Sequence, residues 1–258
     1  SIACFTTACN RSGRLNKLYH DIAQWAYRWR RIASRFSHVI FISRLNQRVL
    51  EPYLNPGVRR SLVSNPSDFS GPAPAVIAPD SPFLFVGSLD QHKDPVTAAR
   101  AARIAGAPIV FVGAGSTERE VRRENPDALI TGWVGREEVE ARLRSSRALV
   151  FPSRWYEAQP LTPIEAAACG LPLLVSDASS AVELVEALGV GEIFPAGDAE
   201  ALAGHMRRYL DLEFARAQSA ATAAAFAKQD FSMDLHVRRL LEIYESELAD
   251  PRFFFLPI

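Results

Sequence analysis

Two acidic residues, Glu157 and Glu165, stand eight positions apart in the stretch YEAQPLTPIEAAACG at 156–170. An ionised carboxylate accepts two or more O–H bonds at once, so sugar hydroxyls are natural partners for such a pair. A short helix is expected between and after the acids. Its first turn offers free amides and a partial positive charge, a ready place for a diphosphate. Pro160 and Pro163 carry no N–H, which leaves the amides of Ala158, Gln159, Leu161 and Thr162 as donors. Lys93, in GSLDQHK at 87–93, adds a point charge suited to phosphate. The pattern therefore assigns one acid to a sugar, the amides and Lys93 to a diphosphate, and the second acid to a ribose. Glu165 also has a purely structural reading, a capping box with Thr162 as N-cap, Pro163 at N1 and Glu165 at N3 folding back. That reading does not reach Glu157, which precedes the helix.

The elements that must position these residues follow a regular rhythm from Phe83 onward. Short continuous apolar runs at 83–87, 108–113, 128–131, 148–153 and 171–176 read as strands. Helical patterns at 95–105, 116–124, 136–146, 160–169 and 179–187 lie between them, and further helices are expected near 198–211, 213–228 and 233–248. Strands that are apolar on both faces and alternate with helices predict an α/β fold: a Rossmann-like parallel sheet with helices on both faces. In such a sheet ligands bind outside the carboxyl ends of the strands. The residues there are Gly87, Ser88 and Lys93; Gly113 and Gly115; Gly132, Trp133 and Val134; and Arg154 to Glu157. A glycine directly after a strand marks a point where a ligand or another backbone comes close.

Before this region, apolar residues at helical spacing from Leu15 to Phe36 predict a long amphipathic helix, with Arg28, Arg30, Arg31 and Arg35 on its other faces. A strand at 38–43, a helix at 44–54 and another strand ending in an Asn-Pro turn complete residues 1–66. The stretch SDFSGPAPAVIAPDSP at 67–82 has no periodicity and reads as a linker. The sheet domain then runs over 83–230, and 231–258 forms a C-terminal helix and an apolar tail, PRFFFLPI, expected to pack on a partner surface.

Composition narrows the function classes. Lys plus Arg equals Asp plus Glu at 29 each, which argues against a nucleic-acid partner. Cys4, Cys9 and Cys169 are too few and scattered for a zinc site, and they fit a reduced, cytoplasmic setting. No apolar run reaches the ~20 residues of a membrane span. The basic face of the first helix admits peripheral attachment at the inner face of the membrane. Nothing in the sequence speaks to oligomeric state. A dinucleotide fingerprint in VGAGSTERE fails at its third glycine, where Glu118 stands. The histidines His38, His92 and His236 have no acid and nucleophile near them in sequence.

With these residues in place, the chain resembles the retaining glycosyltransferases of family 4, which have the two-domain GT-B fold. The resemblance rests on FVGSLDQHKD, IVFVGAGSTERE, the run from LITGWVG through YEAQPLTPIEAAACGLPLLVSD, and GVGEIFPAGDAEALA, from about Phe83 to Pro195. Glu157 and Glu165 match the family's E-x7-E motif. The resemblance implies transfer of a sugar, with retention, from a nucleoside-diphosphate-sugar donor to a sugar, lipid or cell-surface acceptor, without metal or other cofactor. It implies catalytic roles for Glu157, on the transferred sugar, and Lys93, on the diphosphate. Glu165 would hold the ribose, Gln159 to Thr162 would line phosphate and sugar, and Gly132 to Val134 would lie near the base.

Two departures accompany the match. Ser88 stands where the family has an Arg beside the first-loop glycine, so the expectation is either weaker donor binding or a charge supplied by another base, such as Arg154. Only residues 1–66 precede the linker and the chain opens SIACF, which predicts a fragment lacking most of the N-terminal acceptor domain. A non-catalytic module that binds a nucleotide sugar or scaffolds a partner is the alternative expectation.

Overall fold

The computed structural model describes residues 36–69 and 71–249. The expected helix over 15–36 (Phe36 excepted), its basic face, Cys4, Cys9 and the apolar tail lie outside the described residues.

The main sheet has six parallel strands: β3 (Phe83–Val86), β4 (Ile109–Val112), β5 (Leu129–Ile130), β6 (Leu149–Phe151), β7 (Leu173–Ser176) and β8 (Glu192–Phe194). Their spatial order is β5-β4-β3-β6-β7-β8. In chain order the strands run outward from β3 to one edge, then return to β6 and run to the other. That reversal is the switch point of a doubly wound sheet, and it lies between β3 and β6, paired at Leu84 and Leu149. A smaller parallel pair, β1 (His38–Phe41) and β2 (Arg59–Leu62), forms a separate sheet.

Helices α1 (Arg44–Leu50), α2 (Pro95–Ala105), α3 (Glu118–Glu124), α4 (Arg136–Ser145), α5 (Leu161–Ala168), α6 (Ala181–Leu188), α7 (Ala199–Leu210), α8 (Leu212–Phe226) and α9 (Met233–Leu248) complete the chain. Strand and helix positions agree with the sequence pattern to within a few residues. The expected strand at 128–131 shrinks to two residues at the sheet edge, where it pairs on one side only. Strand β8 has no counterpart in the expected set, because EIF is three residues long and its first two are not fully buried. Helices α2 and α5 bury alanines against the sheet, and fully buried Phe83, Leu84, Phe111, Leu149, Leu174 and Phe194 fill the interior. Small residues on the helices let large ones on the strands interdigitate.

The segment 67–82 is irregular, as its composition predicts, but it is not a free tether. Phe69, Ala75 and Ile77 are buried in the main core, and Ala75 donates its amide to Ser219, whose hydroxyl in turn bonds Gly170. A side chain at Gly170 would collide with the carbonyl of Ala73 at 2.2 Å. Arg147, only 2% exposed, closes the end of this segment. Its guanidinium donates to the carbonyls of Ala78, Pro79 and Ser81 on one side and of Tyr209 and Leu210 on the other. Burial pulls its pKa below the usual guanidinium value. The carbonyls offset that penalty by taking up the N–H groups. Arg147→Ala is expected to leave these carbonyls poorly satisfied and to cost on the order of 3 kcal/mol, a fall in Tm of roughly 6–12 °C by calorimetry.

Candidate active site at the strand switch point

The loops that follow β3 and β6 face each other across the switch point and are cross-linked. A single turn of 3₁₀ helix, Gln91–Lys93, ends at Asp94 in the left-handed region, with φ of 50°. Asp94 also caps α2, accepting from the amide and hydroxyl of Thr97. This sharp reversal aims Lys93 toward the β6 loop. There its Nζ donates to Glu157 Oε2 at 2.6 Å, beside the ring of Phe151. The two side chains are 25% and 14% exposed, so the pair is shielded from bulk water without being sealed. Glu157 Oε1 is buried and, among the described residues, has no hydrogen-bond partner.

Arg154 joins the same two loops from outside: its amide donates to the carbonyl of His92 and its guanidinium pairs with Asp94 at 2.5 Å. Its guanidinium also occupies the space over Gly197, where a Cβ would come within 2.5 Å. The expectation that Arg154 replaces the missing first-loop arginine is therefore corrected. Its guanidinium pairs with Asp94 instead, and Ser88 is half-buried.

The glycines divide into two kinds. A Cβ at Gly113 would meet the carbonyl oxygen of Gly87 at 2.0 Å, and one at Gly115 would meet the Leu89 backbone at 2.4 Å. These glycines exist so that the β4 loop can lie directly on the β3 loop, and no phosphate fits between. Gly87 and Gly132 instead have open space where a side chain would be, apart from an ordinary contact of Gly87 with Phe85. The Gly113 amide donates to the Gly132 carbonyl, which draws the loop bearing Trp133 and Val134 toward the switch point. Trp133 is 69% exposed, and Val134 rests on the core.

Helix α5 begins at Leu161, two residues earlier than the capping-box reading requires. The extended residue before it is Pro160, and no side chain caps the helix. Thr162 lies within the helix, Pro163 takes the third position, where its missing N–H would have no intrahelical acceptor, and Glu165 is too deep to fold back. The capping box is thus absent and Glu165 is released from it. The Glu165 carboxyl makes no ion pair among the described residues, and burial pushes its pKa up, with Arg136 opposing and Asp68 adding to the shift. Ala158, Leu161 and Thr162 stand at the helix mouth as expected, Leu161 half exposed. The side chain of Gln159 turns away, toward Asn65 of the N-terminal segment.

Cys169 is fully buried and its thiol is pushed up to about 11 by burial, so it is a core residue. Among the described residues no three His, Cys, Asp or Glu side chains come together to hold a metal ion, and no helix is long and apolar enough to cross a membrane. His38 does acquire company in space. Its Nδ1 meets Glu247 at 2.7 Å and its Nε2 meets Ser61 at 2.9 Å. Glu247 is also held by Arg59, and the cluster sits at the amino ends of β1 and β2, so it fastens α9 to the small sheet.

Sequence reasoning did not single out Asp94, Asn65 or Glu183. Asp94 had a local signal, an Asp-Pro helix start. The other two had none, because their partners are 94 and 138 residues away in sequence.

Comparison with known proteins gives the family and the fold. The family described as Glycosyl transferases group 1 matches residues 76–228, more than half of the chain. The chain is 32% identical over 130 residues to the O-antigen chain mannosyltransferase C of Escherichia coli, covering 48% of this chain and 35% of that protein. It is 28% identical over 179 residues to the amylovoran biosynthesis glycosyltransferase AmsK of Erwinia amylovora, covering 63% and 44%. It thus spans less than half the length of these curated relatives. Among solved structures, sucrose-phosphate synthase from Thermosynechococcus elongatus superposes with a TM-score of 0.74 at 19% identity, over 96% of this chain and 66% of that one. Anabaena HepE, solved with UDP and glucose, superposes at 0.65 and 19% identity, over 84% and 65%. By the extent of its family match, this chain belongs to the group 1 glycosyl transferases.

Proposed function

We propose that the chain carries the donor-binding half of a retaining glycosyltransferase, which moves a sugar from a nucleoside-diphosphate donor to a carbohydrate or lipid-linked acceptor. The observation that carries this reading is Glu157: one oxygen on Lys93, the other buried and unpartnered among the described residues, at the strand switch point. A buried acceptor without a donor is costly, and a sugar hydroxyl would satisfy it. The relatives with mannosyltransferase and polysaccharide names support the same class of reaction.

In this reading Lys93 neutralises Glu157 until a donor arrives, then turns its ammonium to the diphosphate. The Ala158, Gln159, Leu161 and Thr162 amides add fixed donors at the positive end of α5, so charge developing on the leaving group meets groups already in place. Gly87 and Ser88 leave room for the phosphates, Glu165 takes the ribose, and Gly132, Trp133 and Val134 flank the base.

Lys93→Ala is expected to weaken binding of the preferred nucleotide sugar, GDP-mannose or UDP-glucose, by roughly 1.5–3 kcal/mol in a calorimetric titration. Glu157→Ala should abolish transfer in the complete gene product while the far-UV circular dichroism stays unchanged. Full turnover by that variant would remove Glu157 from the site. Binding of neither nucleotide sugar to the wild-type chain would sink the donor-site reading, whereas binding without transfer would favour the non-catalytic module.

Glu165 gives a separate expectation. A carboxyl whose folded pKa is raised adds stability only while protonated, and that contribution is lost as pH rises through the raised value. Glu165→Gln should therefore melt higher than wild type at pH 7. The gain should shrink as pH falls toward about 4. The same variant should bind the nucleotide sugar less tightly. A melting difference that does not change with pH would refute the burial argument.

A further inference from the structure

The loop bearing Glu157 is fastened to the N-terminal segment on both sides of that residue. Tyr156 donates its hydroxyl to the carbonyl of Leu45 at 2.7 Å. On the other side, Gln159 Oε1 accepts the Asn65 amide at 2.5 Å, and the Gln159 carbonyl accepts from Asn65 Nδ2 at 3.3 Å. Between them the carbonyl of Glu157 accepts the amide of Ser180, the residue that opens α6. One turn into α6, Glu183 reaches back to the same place as Tyr156. Its two carboxylate oxygens take the amides of Arg44 at 2.9 Å and Leu45 at 2.6 Å, the first two residues of α1.

The first turn of α1 is thus gripped from two sides. Glu183 holds its free amides, a charge-assisted cap supplied from 138 residues away, and Tyr156 holds a carbonyl. Ser43 supplies the local cap, accepting from Asn46. Any displacement of α1 must either break these bonds or carry the loop at 156–159 with it. The bond between Ser180 and Glu157 makes the α6 and loop contacts one connected unit.

We propose that Tyr156, Gln159 and Glu183 are positioning residues, through which the N-terminal segment sets the placement of Glu157 and the amides beside it. The donor site is then assembled in register with the acceptor-side segment. This inference rests on the donor-site reading of Glu157. The side chains of Tyr156 and Glu183, and the side chain and carbonyl of Gln159, act through Glu157 and the amides beside it, and the amide of Gln159 keeps its place among the donors to the diphosphate.

The test uses the full chain and three variants: Tyr156→Phe, Glu183→Gln and Ser43→Ala, the last at a residue with no assigned contact to the nucleotide sugar. Amide hydrogen exchange is followed for peptides covering 44–49 and 154–162, with titrations of GDP-mannose and UDP-glucose and a thermal melt alongside. Each variant should speed exchange in both peptides together. Affinity for the nucleotide sugar that binds should fall about 5- to 10-fold in Tyr156→Phe, the loss of one hydrogen bond, with Tm within about 2 °C of wild type. Exchange rising at 44–49 alone in Ser43→Ala, or a lowered Tm with unchanged affinity in Tyr156→Phe, would overturn the coupling and leave the bonds as staples. If Ser43→Ala fails to fold, Tyr156→Phe provides the same comparison of the two peptides. Coupled exchange in a chain that binds neither nucleotide sugar would instead refute the donor-site reading and keep the coupling.

Discussion

The ion pair between Lys93 and Glu157 organises what surrounds it. It spans the place where a doubly wound sheet must leave a crevice, because helices from β3 and β6 depart to opposite sides. Each partner is aimed by strained or tightly tied backbone: Asp94 in the left-handed region below Lys93, and the contacts of Ser153 and Arg154 with His92 below Glu157. The pairing leaves one carboxylate oxygen buried without a donor among the described residues. A fold selected only for stability would satisfy that atom or expose it.

Other costs gather in the same place. Glu165 is held where burial opposes its charge, and α5 opens without a side-chain cap. Asp94 adopts a left-handed conformation that is uncommon for non-glycine residues, though aspartate tolerates it better than most. Against these stand the dry sheet interior, the alanine-lined helices, and Arg147 with its ring of carbonyls. The rigid part of the molecule offsets the departures at its mouth, a distribution expected of a binding site on a stable scaffold.

The N-terminal segment is not an appendage. Asn65 and α1 meet the loop around Glu157, while Arg59, His38 and Glu247 tie the small sheet to α9 at its opposite end. The segment is therefore held at both ends of its short strands, and only one of those ends faces the proposed chemistry. His38, Ser61 and Glu247 line up as a hydrogen-bonded relay, yet their position and the claim of Arg59 on Glu247 make them a fastening.

Five of the six strands, their alternation with helices along the chain, and the two acids flanking the start of α5 follow from the sequence alone. Their signals are local: runs of apolar residues, helical spacing, and prolines and glycines at the breaks. Glu157, Glu165 and Lys93 could be named because a parallel sheet puts chemistry at the carboxyl ends of its strands. The tertiary structure decided what no local signal carries. It showed that Gly113 and Gly115 serve backbone packing, that α5 starts at Leu161 and frees Glu165 from capping, and that Arg154 belongs to Asp94. It alone joined Glu183 to Arg44 and Leu45, and Gln159 to Asn65. Such pairs are fixed by how whole elements dock, and the chain between them carries no periodicity that would announce the contact.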